Sequence, residues 1–437
     1  MQAVMLCAGK GTRMRPLTYT RPKPLLFVGG KTVLEHNLET LAKCGVEEVI
    51  LVVGHLSELI IDFVKRSWKG MKISFVYQSQ QLGTAHALYL ARDLVEDEFL
   101  VLNGDDLYSP GDVQRVISAT SPSILAKEVN DLSNFGEVKV NESGHLIEVV
   151  EKPRDRKQGL ANTGCYFLSK NVFDLIASLK PSPRGELELT DAINSLAEEE
   201  DVLVAIARNW LPISYPWNLL DANETLLSEL EDSNVEGEVE EGATITGPVV
   251  IGKGSRIRSG SYIEGPCYIG ENCKIGPNCY LRKYTSLEGN CKVGNCVEIK
   301  NSILLKGSKV PHLSYVGDSI IGAYSNLGAG TKIANLRHDG ESIKVVVKGE
   351  RMDSGKRKLG AIVGDCCKFG VGTLIAPGSV CGPFSWTEPG SYVKLLLGPF
   401  TLLRRDGTEE RIDENKLVCS LSEEERRLFE IAKRTTC

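Results

Sequence analysis

After its first apolar run the chain reads Leu6, Cys7, Ala8, Gly9, Lys10, Gly11, Thr12, Arg13, Met14, Arg15, and a proline-punctuated stretch then delivers Lys23. Small residues directly after a strand let backbone N–H groups approach a phosphate, and Arg13 and Lys23 can neutralise charge that shifts during phosphoryl transfer. The string is not a P-loop, which needs G-x-x-x-x-G-K-[ST], nor a dinucleotide fingerprint, because Met14 stands where the third glycine belongs. Gly9-x-Gly11 alone is weak evidence of phosphate binding. A second candidate, His312, follows Pro311 outside the aliphatic repeat described below, which predicts a loop able to face a cleft. An imidazole, ordinarily titrating near about 6.5, suits general-base work near neutral pH, although a lone histidine is more often a satisfied polar residue.

The elements that must position these residues differ between the two halves of the chain. Over the first 230 residues, β-branched apolar runs alternate with helical patterns, the signature of a mostly parallel sheet covered on both faces. Strands are predicted at 3–6, 48–53, 73–77 and 99–102, and helices at 33–43, 56–64 and 84–94. In open α/β sheets ligands bind beyond the carboxyl ends of the strands, where residues 7–13 and 103–106 emerge. A helix at 219–230 and an acidic stretch at 231–241 mark a domain boundary. Beyond it an aliphatic residue recurs at every sixth position: Ile245, Ile251, Ile257, Ile263, Ile269, Ile275, Leu281, Leu287, Val293 and Ile299.

That period predicts a triangular parallel β-helix in which each hexapeptide forms one side and residues eighteen apart stack. The pattern slips after Lys300, resumes at Ile321, Leu327 and Ile333, and returns at Val363, Phe369 and Ile375; such slips predict loops leaving the solenoid. Cys267, Cys273, Cys279 and Cys291 each follow a repeat aliphatic by four residues, where a small side chain fits a corner, so packing rather than redox chemistry is expected of them. Ser422 and Glu425 stand at capping-box spacing before Leu428, Phe429 and Ile431, which predicts a short amphipathic helix covering the solenoid.

Composition excludes several classes. With 51 basic against 57 acidic residues among 437, the net charge of −6 argues against a nucleic-acid partner. The amino terminus lacks a basic n-region and a signal-length apolar run, and no eighteen-residue apolar run occurs, so a cytoplasmic protein without a membrane segment is expected. Thirteen cysteines without a C-x-x-C pair point to reduced core thiols rather than a structural metal.

The whole string GKGTRMRPLTYTRPKPLL resembles the sugar-1-phosphate nucleotidylyltransferases, and the resemblance runs on through Gln78, QLGTAHAL, NGDD, EKP at 151–153 and NTG at 162–164. It implies a triphosphate site at Arg13, phosphate contact by Lys23, and Mg²⁺ on Asp105. Nucleotide and sugar contacts are implied for Leu6, Ala8, Gly9, Gly11, Thr12, Gln78, Gly83, Thr84, Asn103, Gly104 and Gly136, with Glu151 and Asn162 at the sugar. A second metal ligand is expected near Tyr215-Pro216-Trp217-Asn218, where the chain departs from the family's aspartate-x-glycine-threonine form. Asn218 is taken ahead of Asp221.

Residues 297–340 resemble the acetyltransferase domain of bifunctional GlmU, an arrangement shared with archaeal bifunctional sugar-1-phosphate enzymes. The resemblance implies that Arg282 and Lys300 grip a sugar phosphate, that Tyr315 and Asn326 contact an amino sugar, that His312 is the base, and that Ala329 and Asn335 lie near acetyl-CoA and sugar. N–H groups of 328–330 are candidates for an oxyanion site. The family lysine that follows Asn335 is absent, and Lys344 is the candidate to take its place. The basic residues Lys344, Lys348, Arg351, Lys356, Arg357 and Lys358 suit coenzyme A phosphates or simply a solvated hairpin.

The fold expected is α/β: a Rossmann-like nucleotidyltransferase domain at 1–228, a linker at 229–241, a left-handed β-helix of hexapeptide repeats at 242–400, and a tail at 401–437. The implied enzyme is a homotrimer that acetylates glucosamine- or galactosamine-1-phosphate with acetyl-CoA and transfers UMP or dTMP from UTP or dTTP. The rival reading is a monofunctional nucleotidylyltransferase whose β-helix serves oligomerisation or regulation.

Overall fold

A computed structural model describes residues 1–119, 122–151, 153 and 158–436; Lys152 of the EKP motif and the terminal Cys437 lie outside these. The described chain separates into two compact units, one of Met1–Lys10, Pro22–Leu25 and Thr32–Ser214, the other of Gly11–Arg21, Leu26–Lys31 and Tyr215–Cys437.

The first unit is built on nine strands: β1 (Gln2–Cys7), β2 (Glu48–Val53), β3 (Lys72–Tyr77), β4 (Glu98–Asn103), β5 (Ser123–Val129), β6 (Gly136–Val140), β7 (Leu146–Glu151), β8 (Gly159–Ser169) and β9 (Leu203–Ile206). Their order is β9-β5-β8-β4-β1-β2-β3, with β6 and β7 as a side ribbon on β8. The first four strands are mutually parallel, in register Gln2↔Glu48, Gln2↔Phe99 and Glu48↔Lys72. Strand β8 runs antiparallel to both neighbours. Successive residues of β1 enter opposite cores: Ala3 and Met5 pack with Leu34, Leu38 and Leu51, and Val4 with Ile50, Leu88 and Ile193. A sheet buried on both faces needs this nearly continuous apolar run.

Helix α1 (Val33–Lys43) begins with a Thr32–Glu35 capping box. The helix expected at 84–94 is shorter, α2 (Thr84–Tyr89), because residues 90–94 tighten into i→i+3 turns such as Ala91 N–H to the Leu88 carbonyl at 2.9 Å.

In the second unit, consecutive short strands fall in turn to three parallel sheets, so the chain winds as a three-sided coil. Residues eighteen apart stack, as in Ile257↔Ile275 and Ile263↔Leu281, and Ile257, Ile263, Ile269, Ile275 and Leu281 are fully buried along the axis. Cys267, Cys273, Cys279 and Cys291 are buried in the same core. The coil already begins inside the acidic stretch, since Asn234–Val235 and Glu238–Val239 pair with Val249–Ile251 and Arg256–Ile257.

The slip after Lys300 is not a departing loop. Ile299, Leu304, Val310, Val316 and Ile321 all point into the core, and two turns shortened by one residue keep stacking, as in Lys292↔Lys309 and Ile303↔Ile320. A deletion of one residue in a side displaces the aliphatic pattern without breaking the ladder. The true excursion follows Ile333, where an antiparallel hairpin of Lys344–Val347 and Glu350–Asp353 stands out before Ile362 resumes the stack on Ile320. At the far end the last helix (Glu423–Thr436) inserts Phe429 against Phe384 and Phe400 at 5.6 Å each. Its Ser422 and Glu425 make the reciprocal cap, with bonds of 2.8 and 3.3 Å.

Candidate functional sites

The carboxyl ends of β1 and β4 lie side by side, with Leu6 paired to Asn103. Past them, the Lys23 ammonium sits 2.7 Å from Asp105 Oδ2 and 3.9 Å from Asp106 Oδ1. The lysine is buried while the Asp105 side chain is 42% exposed, so the carboxylate that faces a cation here is also open to solvent. Asp106 was not singled out in the sequence; its Oδ1 accepts the Ile213 N–H at 2.9 Å and holds the turn. Gly9 and Lys10 are exposed, and nothing lies within 4 Å of where a Gly9 side chain would start, leaving its backbone open to a ligand. Gly104 approaches the Cys7 sulfur closely, and burial beside Asp105 pushes the Cys7 thiol far above its ordinary range.

The remaining residues implied for base and sugar group along the same unit. Gln81 Nε2 donates to the Ala8 carbonyl at 3.0 Å. Gln78 Nε2 donates to the Gly83 carbonyl and to His86 Nδ1, the latter at 3.0 Å, which sets that ring as the Nε2–H tautomer. Thr84 Oγ1 accepts from Leu189 N. Asn162 Nδ2 donates to the Tyr166 hydroxyl at 2.7 Å, and Gly164, at φ +74, leaves the space that Asn103 Nδ2 fills. Gly136 and Glu151, on the side ribbon, lie beside Asn162 of β8. Arg184, remote in sequence and missed by its reading, bridges Glu151 at 3.3 Å and Glu188 at 2.9 Å. Burial raises the Glu188 carboxyl above its usual range, and Arg184 opposes that shift.

Gly11, Thr12 and Arg13 fall in the second unit. Gly11 adopts φ +59, its carbonyl accepts from Met14 N–H at 2.9 Å and Thr18 Oγ1 at 2.8 Å, and the Arg13 guanidinium lies over the Tyr215 ring at 5.6 Å. Asn218 Oδ1 accepts the Tyr215 N–H at 2.9 Å and so caps the helix Pro216–Ser228. Asp221 is ion-paired with Lys356.

On the coil, the expected acetyl-site residues divide between two sheets. Lys300 and Tyr315 stand in strands of one, in register Glu298↔Tyr315 and Lys300↔Gly317, with Arg282 and Asn335 just past the ends of two of its strands. Lys300 and Asn335 meet at Asp318, which the sequence reading missed. This buried carboxylate lies 3.5 Å from Lys300 Nζ and accepts from Asn301 Nδ2 at 2.9 Å and Asn335 Nδ2 at 2.5 Å. Asn335 Nδ2 also donates to the Tyr315 hydroxyl at 3.2 Å, and burial, then Asp318, raises the Tyr315 phenol. A side chain at Gly317 would start 2.5 Å from that hydroxyl, so the glycine opens the cluster. Arg282 pairs with Glu298 at 3.0 Å.

His312 and Asn326 belong to the adjoining sheet, and Ala329 lies in the turn after the strand Asn326–Leu327. His312 ends the strand Lys309–His312 rather than lying in a loop, is exposed, and stacks on Asn295. Gly328 and Gly330 donate their N–H groups to the Phe369 and His312 carbonyls at 3.0 and 3.1 Å, which withdraws them from the expected oxyanion role; among the described residues the Ala329 N–H has no partner. Lys344 is on the hairpin opposite Asp353.

The family model described as nucleotidyl transferase matches residues 2–229, and that described as GMPPB C-terminal domain matches 263–381. A protein of Methanococcus maripaludis named bifunctional protein GlmU is 47% identical over 87% of this chain and 92% of its own length. Its namesake in Methanocaldococcus jannaschii is 42% identical over 88% of this chain and 93% of its own. A Sulfurisphaera tokodaii protein named bifunctional sugar-1-phosphate nucleotidylyltransferase/acetyltransferase is 39% identical over 91% of this chain and 98% of its own.

Proposed function

The chain belongs to the family of GlmU-type bifunctional sugar-1-phosphate nucleotidylyltransferase/acetyltransferases, and from that premise we propose that it makes a UDP- or dTDP-linked N-acetylamino sugar in two steps. It is an enzyme with nucleotidyl-transfer and acetyl-transfer activities. In the first step the amine of glucosamine- or galactosamine-1-phosphate attacks the thioester carbonyl of acetyl-CoA, the C–S bond breaks, and the amine proton passes through His312 to the departing sulfur, so that coenzyme A leaves as the thiol. In the second, a phosphate oxygen of the acetylated sugar attacks the α-phosphorus of UTP or dTTP and pyrophosphate departs.

The observation that carries the nucleotidyl half is Lys23 seated on Asp105 at the carboxyl ends of β1 and β4. Phosphoryl transfer asks the protein mainly for positioning and charge neutralisation, which Lys23 supplies in the first unit with the open backbone at Gly9, while the family resemblance assigns Arg13 to the triphosphate. Asp105 suits Mg²⁺: an accessible carboxylate oxygen beside a phosphate site is the protein ligand that this ion usually takes, sharing the rest of its shell with water and phosphate oxygens. The ion would neutralise charge on the triphosphate.

The acetyl half is supported by Arg282 and Lys300 as sugar-phosphate cations and by the Tyr315–Asn335–Asp318 network that fixes the sugar side. The Ala329 N–H is the remaining candidate for the carbonyl oxygen. The exposed apolar residues Leu313, Val371, Leu374 and Tyr392, 49–59% accessible, support a homotrimer whose copies share this surface. We read the coil as a left-handed β-helix and assign nucleotidyl transfer to 1–228 and acetyl transfer to 242–400, in a cytoplasmic enzyme. Among the described residues no helix is long and apolar enough to cross a membrane.

Full-length protein given acetyl-CoA and glucosamine-1-phosphate should release free thiol, and with UTP and N-acetylglucosamine-1-phosphate should release pyrophosphate. His312→Ala should abolish the first and retain the second. Absence of thiol release with every amino-sugar phosphate would favour the monofunctional rival, and loss of both activities in the variant would contradict the division of labour.

A further inference from the structure

The segment Gly11–Arg21 carries residues assigned above to the triphosphate, yet it is fastened by groups that the proposed chemistry does not use. Asp365 lies at a corner of the coil and is completely buried. Its Oδ2 accepts from Thr20 Oγ1 at 2.7 Å and from Arg21 Nη2 at 2.6 Å, and its Oδ1 accepts the Ala323 N–H at 2.7 Å. Glu288 is a second negative charge acting on Arg21. The Arg21 side chain is only 14% exposed, and the guanidinium stays charged because two carboxylates offset its loss of water.

A second tether comes from the last helix. Thr435 Oγ1 donates to the Tyr19 carbonyl at 2.5 Å, and Arg15 Nη2 donates to the Thr435 carbonyl at 3.3 Å. Within the segment, Thr18 Oγ1 holds the Gly11 carbonyl at 2.8 Å, two residues from Arg13. The chain of contacts from Asp365 through Thr20 and Arg21, and through Thr18 to Gly11, therefore has few freely rotating links. Met14, Leu17, Thr18 and Thr20 are all buried, so the segment cannot shift without disturbing this packing.

We propose that Asp365, with Thr435 in support, is a positioning residue for nucleotidyl transfer: the coil and the last helix set the geometry of the triphosphate segment. The proposal rests on the assignment of Arg13 to the triphosphate and of Gly11 and Thr12 to nucleotide and sugar contacts. It gives the carboxyl-terminal helix a role in the front reaction, and it predicts that changes at a coil corner alter the KM for the nucleotide without touching acetylation.

The test uses full-length Asp365→Asn, Thr20→Val and Thr435→Val proteins, each assayed for pyrophosphate release and for thiol release. Misplacing a substrate-holding segment by about 1 Å costs on the order of 10²-fold. In Asp365→Asn, kcat/KM for UTP should fall by about that factor, chiefly through KM, with thiol release and KM for acetyl-CoA within twofold of wild type. Thr20→Val and Thr435→Val should each raise KM for UTP several-fold, and Arg21→Ala added to Asp365→Asn should cost little more, because the two act as one unit. Unchanged KM for UTP in Asp365→Asn overturns the proposal. Should that variant lose both activities through misfolding, Thr20→Val decides, since it leaves no charge unpaired, and wild-type KM there overturns the idea equally. Wild-type protein that releases no pyrophosphate would instead sink the functional assignment on which this rests.

Discussion

Replacing Asp318 by asparagine keeps the shape of a side chain that is 5% exposed but removes its charge. The carboxylate answers Lys300 Nζ at 3.5 Å, Asn301 Nδ2 at 2.9 Å and Asn335 Nδ2 at 2.5 Å, and all three are donors. An amide has one acceptor and would turn its own NH₂ toward one of them, so at least one bond becomes a donor–donor contact. Hydrogen bonds to charged groups contribute about 1.5–3 kcal/mol each, and an orphaned donor adds its desolvation cost. Lys300 is 22% exposed, so water recovers part of the loss. The net expectation is about 3 kcal/mol, or on the order of 10²-fold in rate. Since Lys300 and Asn335 are the residues displaced, the loss should appear in kcat/KM for the amino-sugar phosphate, read by thiol release, with pyrophosphate release unchanged. Asp318→Asn acetylation within threefold of wild type would refute the reasoning, because the cluster would then hold its geometry without the charge.

Cys296 and Cys419 are exposed whereas Cys7, Cys273 and Cys291 are buried. A thiol reagent with peptide mapping should modify the first two in folded protein and the others only after denaturation, and equal rates would contradict the packing. Burial holds the Glu188 carboxyl above its ordinary 4.5, so its proton is bound more tightly in the folded state. Its contribution is then fully present below the unfolded pKa and fades as pH rises through the folded one. Glu188→Gln, which cannot ionise, should gain on wild type in Tm at neutral pH, with the gain closing below about pH 4.5. A lower Tm at neutral pH would show that the ion pair with Arg184 outweighs burial.

The strands of the front sheet and the six-residue period of the coil were legible because each rests on many residues obeying one geometric rule. Single side chains with two plausible uses were not. Asn218 stands where the resemblance wants a metal ligand and equally where a helix wants a cap, and only coordinates show its Oδ1 on the Tyr215 N–H. Arg184 reaches Glu151 across 33 positions, a pairing that no local pattern encodes. Arg21 reads as one more cation in a basic motif, yet its partner Asp365 lies 344 residues away.

The interruption after Lys300 is the more instructive failure, because its location was right and its meaning was not. In regular turns the corner residues repeat at eighteen and stack on one another. Here turns shortened to seventeen put Asn301, at φ +43, under Asp318, at φ +47, with bonds linking residues 301 and 318 and residues 318 and 335. Asparagine and aspartate tolerate these left-handed corners, where their short polar chains bond locally. Two successive corners can therefore be polar without breaking the ladder, provided that each satisfies the next. A strict hexad repeats the same environment along a column and so offers no concave polar place. Shortening the side shifts the register of corner against strand, and Gly317, Tyr315 and Lys300 then surround one buried carboxylate instead of lining a flat face. A one-residue deletion and a loop insertion leave the same gap in an aliphatic pattern, and what separates them is whether inward residues persist on either side. Leu304, Val310 and Val316 do persist here, and the proposed acetyl-transfer site falls where the period fails while the core continues.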